Sequence, residues 1–276
     1  MTAQDTPTLF LPQIVSSEFP EFASTITPNG KTFFFNRTSP DRSAIYLMQT
    51  DKNGKKWQKS TFAAFTDTSF REIDPFIAPN GKQVFFSTLR TLNASKSKDY
   101  NIWVSAYKGK KWQKPTPLSI EVNGNDDEVF VSVSRNGNLY FARFIAGKTG
   151  IFYSKNLNGV YQKATPLNLE TDTARIINPA ISPGETMLVF ASGQMGGVGD
   201  ADLFICYRQT DGSWSKPEGL PAPINSARAD FAPSFSPYGK TLYWTSERPG
   251  IVPNFAKDKR PPGDIYHISV STFKHN

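Results

Sequence analysis

The chain has 276 residues, a formal net charge of +7, one cysteine and two histidines. A lone cysteine excludes an intramolecular disulfide, the Cys and His count leaves a zinc site without ligands, and no apolar run approaches the ~18 residues of a membrane-spanning helix. With 22 Phe, 10 Tyr and 5 Trp among frequent Pro and Gly, the composition suits many short strands joined by tight turns.

Taken in order, the chain opens on a short apolar strand, residues 8–12, that has no partner nearby. A pattern then begins at Glu21: a β-rich run to Thr27, a turn Pro28-Asn29-Gly30-Lys31, and a second run from Thr32 to Asn36. A third strand starts at Ala44, and Asn53-Gly54 leads back through Trp57. Alternating apolar residues on both sides of a glycine turn predict antiparallel hairpins.

The pattern recurs from Glu72 through the Asn80-Gly81 turn, from Glu128 through Asn136-Gly137, from Ile176 through Pro183-Gly184 and from Asp230 through Tyr238-Gly239. The repeats occupy residues 18–60, 71–118, 126–167, 175–220 and 229–270. A step near 50 residues with four strands per unit is the signature of propeller blades. The last repeat lacks a fourth strand, and residues 8–12 can supply it, pairing the two ends of the chain and removing exposed sheet edges. The expected fold is all-β: a five-bladed β-propeller of four-stranded blades, one domain over residues 1–276, its ring closed by the N-terminal strand.

The run Phe231 to Trp244 with Asp264-Ile265-Tyr266, the run Asp74 to Phe86, and Asp211 to Pro217 resemble the TolB-like, WD40-like β-propeller repeat. The resemblance spans nearly the whole chain. Members of this broad family include periplasmic scaffolds, surface proteins and propellers attached to peptidases. The resemblance therefore implies a binding scaffold, periplasmic or otherwise exported, with a cytoplasmic location as the alternative. Residues 1–5 carry no basic stretch or apolar core of a signal peptide.

Alignment on the turns gives one informative column. Glu21, Glu72, Glu128, Ile176 and Asp230 open the first strands, and Arg37, Arg90, Arg143 and Arg248 follow the second strands. Strand one starts and strand two ends on one face of a propeller, where the long connections 89–98, 193–201 and 249–263 also emerge. That loop-rich face is the expected binding face. Acids and arginines in equivalent positions tie structure together by guanidinium–carboxylate pairs, or they line a mouth for a polar ligand. Arg175, Asp74, Asp126 and Asp127 make such a mouth asymmetric.

The primary expectation is a non-catalytic module binding a protein partner or a polar or saccharide ligand through Glu21, Glu72, Asp74, Glu128, Arg175, Asp230, Arg37, Arg90, Arg143 and Arg248. The chain is expected to be a monomer needing no cofactor and no metal. The alternative is a carbohydrate-active enzyme, a glycoside hydrolase or lyase with Glu72, Glu128 or Asp230 as acid and base. Lysines scattered over turns make nucleic acid a poor partner. A Ser-His-Asp triad would need His267, and no Gly-x-Ser-x-Gly elbow exists. Calcium on Asp126, Asp127 and Glu128 is weaker than an acidic turn. The run 193–199 reads as a flexible connection rather than a phosphate cradle, since no helix follows it.

Overall fold

In the computed structural model, residues 6–92, 99–171, 174–254 and 261–273 are described. Parts of the connections 89–98 and 249–263, and His275, lie outside them. The described residues form five small antiparallel sheets arranged as the blades of a propeller.

The five innermost strands are Glu21–Ile26, Glu72–Ile77, Asp127–Val133, Ile177–Ile181 and Asp230–Phe235. Each pairs outward with the second strand of its hairpin, and that strand with a third. Neighbouring inner strands pack against each other all the way round, including the last against the first. Phenylalanines fill the space between blades: Phe33, Phe34 and Phe35 in the first and Phe85 and Phe86 in the second are fully buried. Phe34 packs on Phe65 and on Trp112 of the next blade.

Closure is as the sequence predicts. Thr8–Leu9 lies antiparallel to Asp264–Ser269, with Thr8 opposite His267 and Leu9 opposite Tyr266. Phe10 follows, its ring against Phe33 of blade one and Tyr243 of blade five. The edge is therefore sealed by aromatic packing across the junction as well as by a short ladder.

The outer edges differ from the expectation of one continuous fourth strand. In the first two blades Lys56–Trp57 and Lys111–Trp112 turn back on the end of the third strand. Thr61–Phe62 and Thr116–Pro117 then pair further along it. The fourth blade shows a second departure. Gly30, Gly81, Gly137 and Gly239 sit in the left-handed region, but in the fourth turn Glu185, not Gly184, does so, at φ 57°. The Glu185 carboxylate compensates by accepting hydrogen bonds from Asn138 Nδ2 at 2.7 Å and the Tyr140 hydroxyl at 3.0 Å.

Every inner strand also carries a bulge that no propensity predicts. The register skips between Phe22 and Ser24, Ile73 and Phe76, Val129 and Ser132, Ile177 and Ala180, and Phe231 and Ser234. At these points Ala23, Asp74, Phe130, Asn178 and Ala232 adopt φ between 45° and 59°. A left-handed residue that is not glycine costs about 1–3 kcal/mol. Pro75, Pro179 and Pro233 follow three of them, at places where the ladder needs no N–H.

Candidate functional site

The acid and arginine columns meet as four ion pairs. Arg37 reaches Glu21 at 2.7 Å, Arg90 reaches Glu72 at 2.6 Å, Arg143 reaches Glu128 at 2.8 Å and Arg248 reaches Asp230 at 2.9 Å. The carboxylates are sealed: Glu21, Glu128 and Asp230 are 0 % exposed and Glu72 is 1 %. Each takes a second bond from the chain entering its blade, donated by the N–H of Ser17, Asp67, Gly124 or Ser226. Each arginine in turn donates to carbonyls of that same entering segment: Ile14 and Val15, Phe65, Val122, and Pro223. A pair is thus a clamp that fixes the crossover from one blade to the next. Desolvation opposes ionisation. Burial pushes the carboxyl of Glu21 up to about 7 against the pull of Ser17 and Arg37, and that of Glu128 up to about 7 against Arg143.

The fourth blade solves the same problem without charge. Ile176 is buried where the acid would stand, and Gln194, eighteen residues on like Arg90 from Glu72, accepts a 2.7 Å bond from the N–H of Arg175. The Arg175 guanidinium itself is exposed and lies 5.0 Å from the Phe144 ring.

Inside this ring of clamps the loop-rich face opens into a funnel of about 440 Å³. Its wall is apolar: Phe22, Ile73, Ile177 and Phe231, each the residue just before the left-handed position of its inner strand, together with Phe130 and Tyr100. Arg42 and Arg71 stand exposed at its rim. Tyr100 is close enough to Arg71 and Asp74 to feel both charges, and burial raises its phenol. The sequence hid this column because apolar residues in every repeat read as core.

Below the funnel the five left-handed residues ring a cavity of about 30 Å³ at the centre of the disc. Asp74 is there, and neither of its carboxylate oxygens has a hydrogen-bond partner among the described residues. Burial pushes its carboxyl up to about 8, and the nearby Phe130 amide offsets this only in part.

Asp127 accepts the Tyr100 N–H at 2.7 Å, and no group of three or more His, Cys, Asp or Glu that could hold a metal occurs among the described residues. The glycine-rich run 193–199 folds back on Asp202, whose Oδ2 takes the N–H groups of Val198 and Gly199. Gly197 sits so close to that carboxylate that a Cβ would collide with it. Its amides therefore face a carboxylate of the chain itself. Ser16, Asn123 and Asn225 were not singled out from the sequence. Each stands five residues before an acid and bonds the backbone of the previous blade's third strand at Ile265, Ile102 or Leu203.

No family model matches the sequence, and no curated protein does. Solved structures do share its fold. One described as a TolB from Agrobacterium tumefaciens is 16% identical, with 94% of this chain and 80% of that chain covered at a TM-score of 0.58. An alpha-L-arabinofuranosidase from Lactobacillus brevis is 13% identical, covering 98% and 94% at 0.56. A GH43 endo-arabinanase from Bacillus licheniformis is 10% identical, covering 93% and 95% at 0.55. The chain has the fold of TolB-like propellers, and at these identities the likeness speaks for the fold alone.

Proposed function

We propose that the protein is a non-catalytic binding module that receives a partner group in the funnel of its loop-rich face. The observation that carries this reading is the state of the carboxylates. Glu21, Glu72, Glu128 and Asp230 are out of solvent, each holding an arginine and a backbone amide. Acid–base work on a glycosidic bond needs carboxyl groups within reach of the scissile oxygen and of the anomeric carbon or its attacking water. A partly exposed apolar wall with cationic groups at its rim suits insertion of an apolar side chain from an acidic protein segment.

The test is binding and turnover measured together. Purified protein is titrated by calorimetry with acidic peptides bearing a central Phe or Leu, and incubated with arabino- and xylo-oligosaccharides. The reading expects peptide binding that Ile177→Asp abolishes and Arg71→Glu weakens, with no sugar cleaved. Cleavage lost in the Glu128→Gln or Asp230→Asn protein overturns it and establishes the carbohydrate-active alternative. An exported location and a monomeric state belong to the same proposal, checked by fractionating the source cells and by light scattering.

A further inference from the structure

The centre of the disc holds a cluster that the clamps and the funnel wall leave unexplained. Asp74, Asn178 and Ser24 come from three different blades and all line the axial cavity of about 30 Å³. They are 4 %, 5 % and 3 % exposed. Among the described residues, both carboxylate oxygens of Asp74, Oδ1 of Asn178 and Oγ of Ser24 lack a hydrogen-bond partner of good geometry, with the Phe130 amide near the Asp74 carboxylate. Their neighbours are otherwise bonded: the Asp74 N–H donates to Asn36 Oδ1 at 2.8 Å, and Ser234 Oγ donates to the Ser24 carbonyl. Buried polar groups almost always find a partner, and an unpaired buried carboxylate is among the costliest exceptions.

The unpartnered atoms of the cluster are all oxygens, and they carry a single formal charge. A hard cation prefers oxygen ligands, and one carboxylate with two neutral oxygens balances one positive charge rather than two. A cavity of about 30 Å³ admits a particle of water's size, for which roughly 10–15 Å³ suffices, and excludes a methylated ammonium ion. The backbone supports the same assignment. Asp74 and Asn178 are two of the five left-handed inner-strand residues, and that conformation places them on the axis cavity. We propose that the propeller axis is a binding site for a monovalent alkali cation, sodium or potassium, held by the carboxylate of Asp74 and Oδ1 of Asn178 with Ser24 Oγ beside them.

The test compares thermal unfolding in sodium chloride, potassium chloride and tetramethylammonium chloride at equal ionic strength. At ten times its dissociation constant the small cation should raise the folded-to-unfolded ratio about elevenfold over the methylated ion. The increment should vanish in Asp74→Asn and shrink in Asn178→Ala. If Asp74→Asn does not fold, Asn178→Ala carries the comparison, together with broadening of the sodium-23 resonance by native wild type and its reversal by potassium. Equal stability of wild type in the three salts overturns the proposal and leaves Asp74 as a buried neutral acid. So does an increment that survives in both variants. Stabilisation by micromolar calcium with no response to alkali salts overturns the monovalent assignment.

Discussion

Glu72→Gln isolates what a clamp contributes. Glu72 Oε1 holds Arg90 at 2.6 Å, while Oε2 accepts the Thr66 hydroxyl at 2.5 Å and the Asp67 N–H at 3.2 Å. Arg90 also donates to the Phe65 carbonyl at 3.3 Å and lies over the rings of Trp103 and Phe86 at 5.5 and 5.7 Å. The amide keeps the shape and one acceptor oxygen but removes the charge and sets an NH2 against the Asp67 N–H, so a mostly buried guanidinium is left without its counter-charge. Breaking a buried pair in this way costs about 3–5 kcal/mol. At roughly 2–4 °C per kcal/mol for a chain of this size, the melting temperature should fall on the order of 10 °C. The fourth blade supplies the control. Glu72→Ile with Arg90→Gln copies Ile176 and Gln194, removes both charges, and should recover at least about 2 kcal/mol of that loss. Urea unfolding at pH 7.5, followed by tryptophan fluorescence, measures both variants. A single variant within about 1 kcal/mol of wild type, or a double variant no better than the single, refutes the clamp.

Three further outcomes follow from the same structure. Because burial raises the Asp74 carboxyl from 3.8 to about 8, the folded state takes up a proton that the unfolded chain takes up only below pH 4. In tetramethylammonium buffers, stability from Asp74 is therefore present below about pH 4 and lost as pH rises to about 8. The difference between wild-type and Asp74→Asn melting temperatures should shift steadily in the variant's favour over that window, and a flat difference contradicts it. Deleting residues 1–17 removes the closing strand and the fully buried Val15 and Ser16, so the trimmed chain should lose cooperative unfolding in calorimetry, whereas a single sharp transition near the wild-type temperature would show that the ring does not depend on closure. Cys206 is 0 % exposed, with its thiol pushed up by burial to about 12. It should resist a disulfide reagent until urea unfolds the protein, and rapid labelling of the native state would contradict its placement.

The repeat was legible because glycine turns and alternating apolar runs are local chemistry. Asn29-Gly30 and Asn80-Gly81 show their hairpins without any tertiary context. The closing strand was legible by subtraction, since one blade lacked an edge and one segment lacked a partner. The pairing of the acid with the arginine column followed from propeller geometry. Their burial did not, because it depends on how the crossover segments at Ser17, Asp67, Gly124 and Ser226 wrap over them. The bulges were illegible. Nothing in Phe130 or Ala232 favours a positive φ, and the ring of five inner strands imposes it against local preference. With the bulges unseen, Asp74 could be named as an extra acid near the mouth but not placed on the axis.

That contrast separates two kinds of column in a repeat protein. Where four blades of five carry an acid at one position, each held by an arginine and a backbone amide, a shared mechanical problem is being solved. The fourth blade meets it with Ile176 and Gln194 while keeping its place in the ring. A ligand on the axis meets all five blades at once, so its site must break the fivefold repeat to offer anything but a symmetric collar. The left-handed column does this: Ala23, Asp74, Phe130, Asn178 and Ala232 share one backbone conformation and line one cavity, yet present a methyl, a carboxylate, a ring, an amide and a methyl. The backbone is repeated and the side chains are not. Structure accounts for the repeated part through the bulge that all inner strands need. The proposed cation, held off the symmetry by Asp74 and Asn178 rather than by Ala23 and Ala232, would account for the rest.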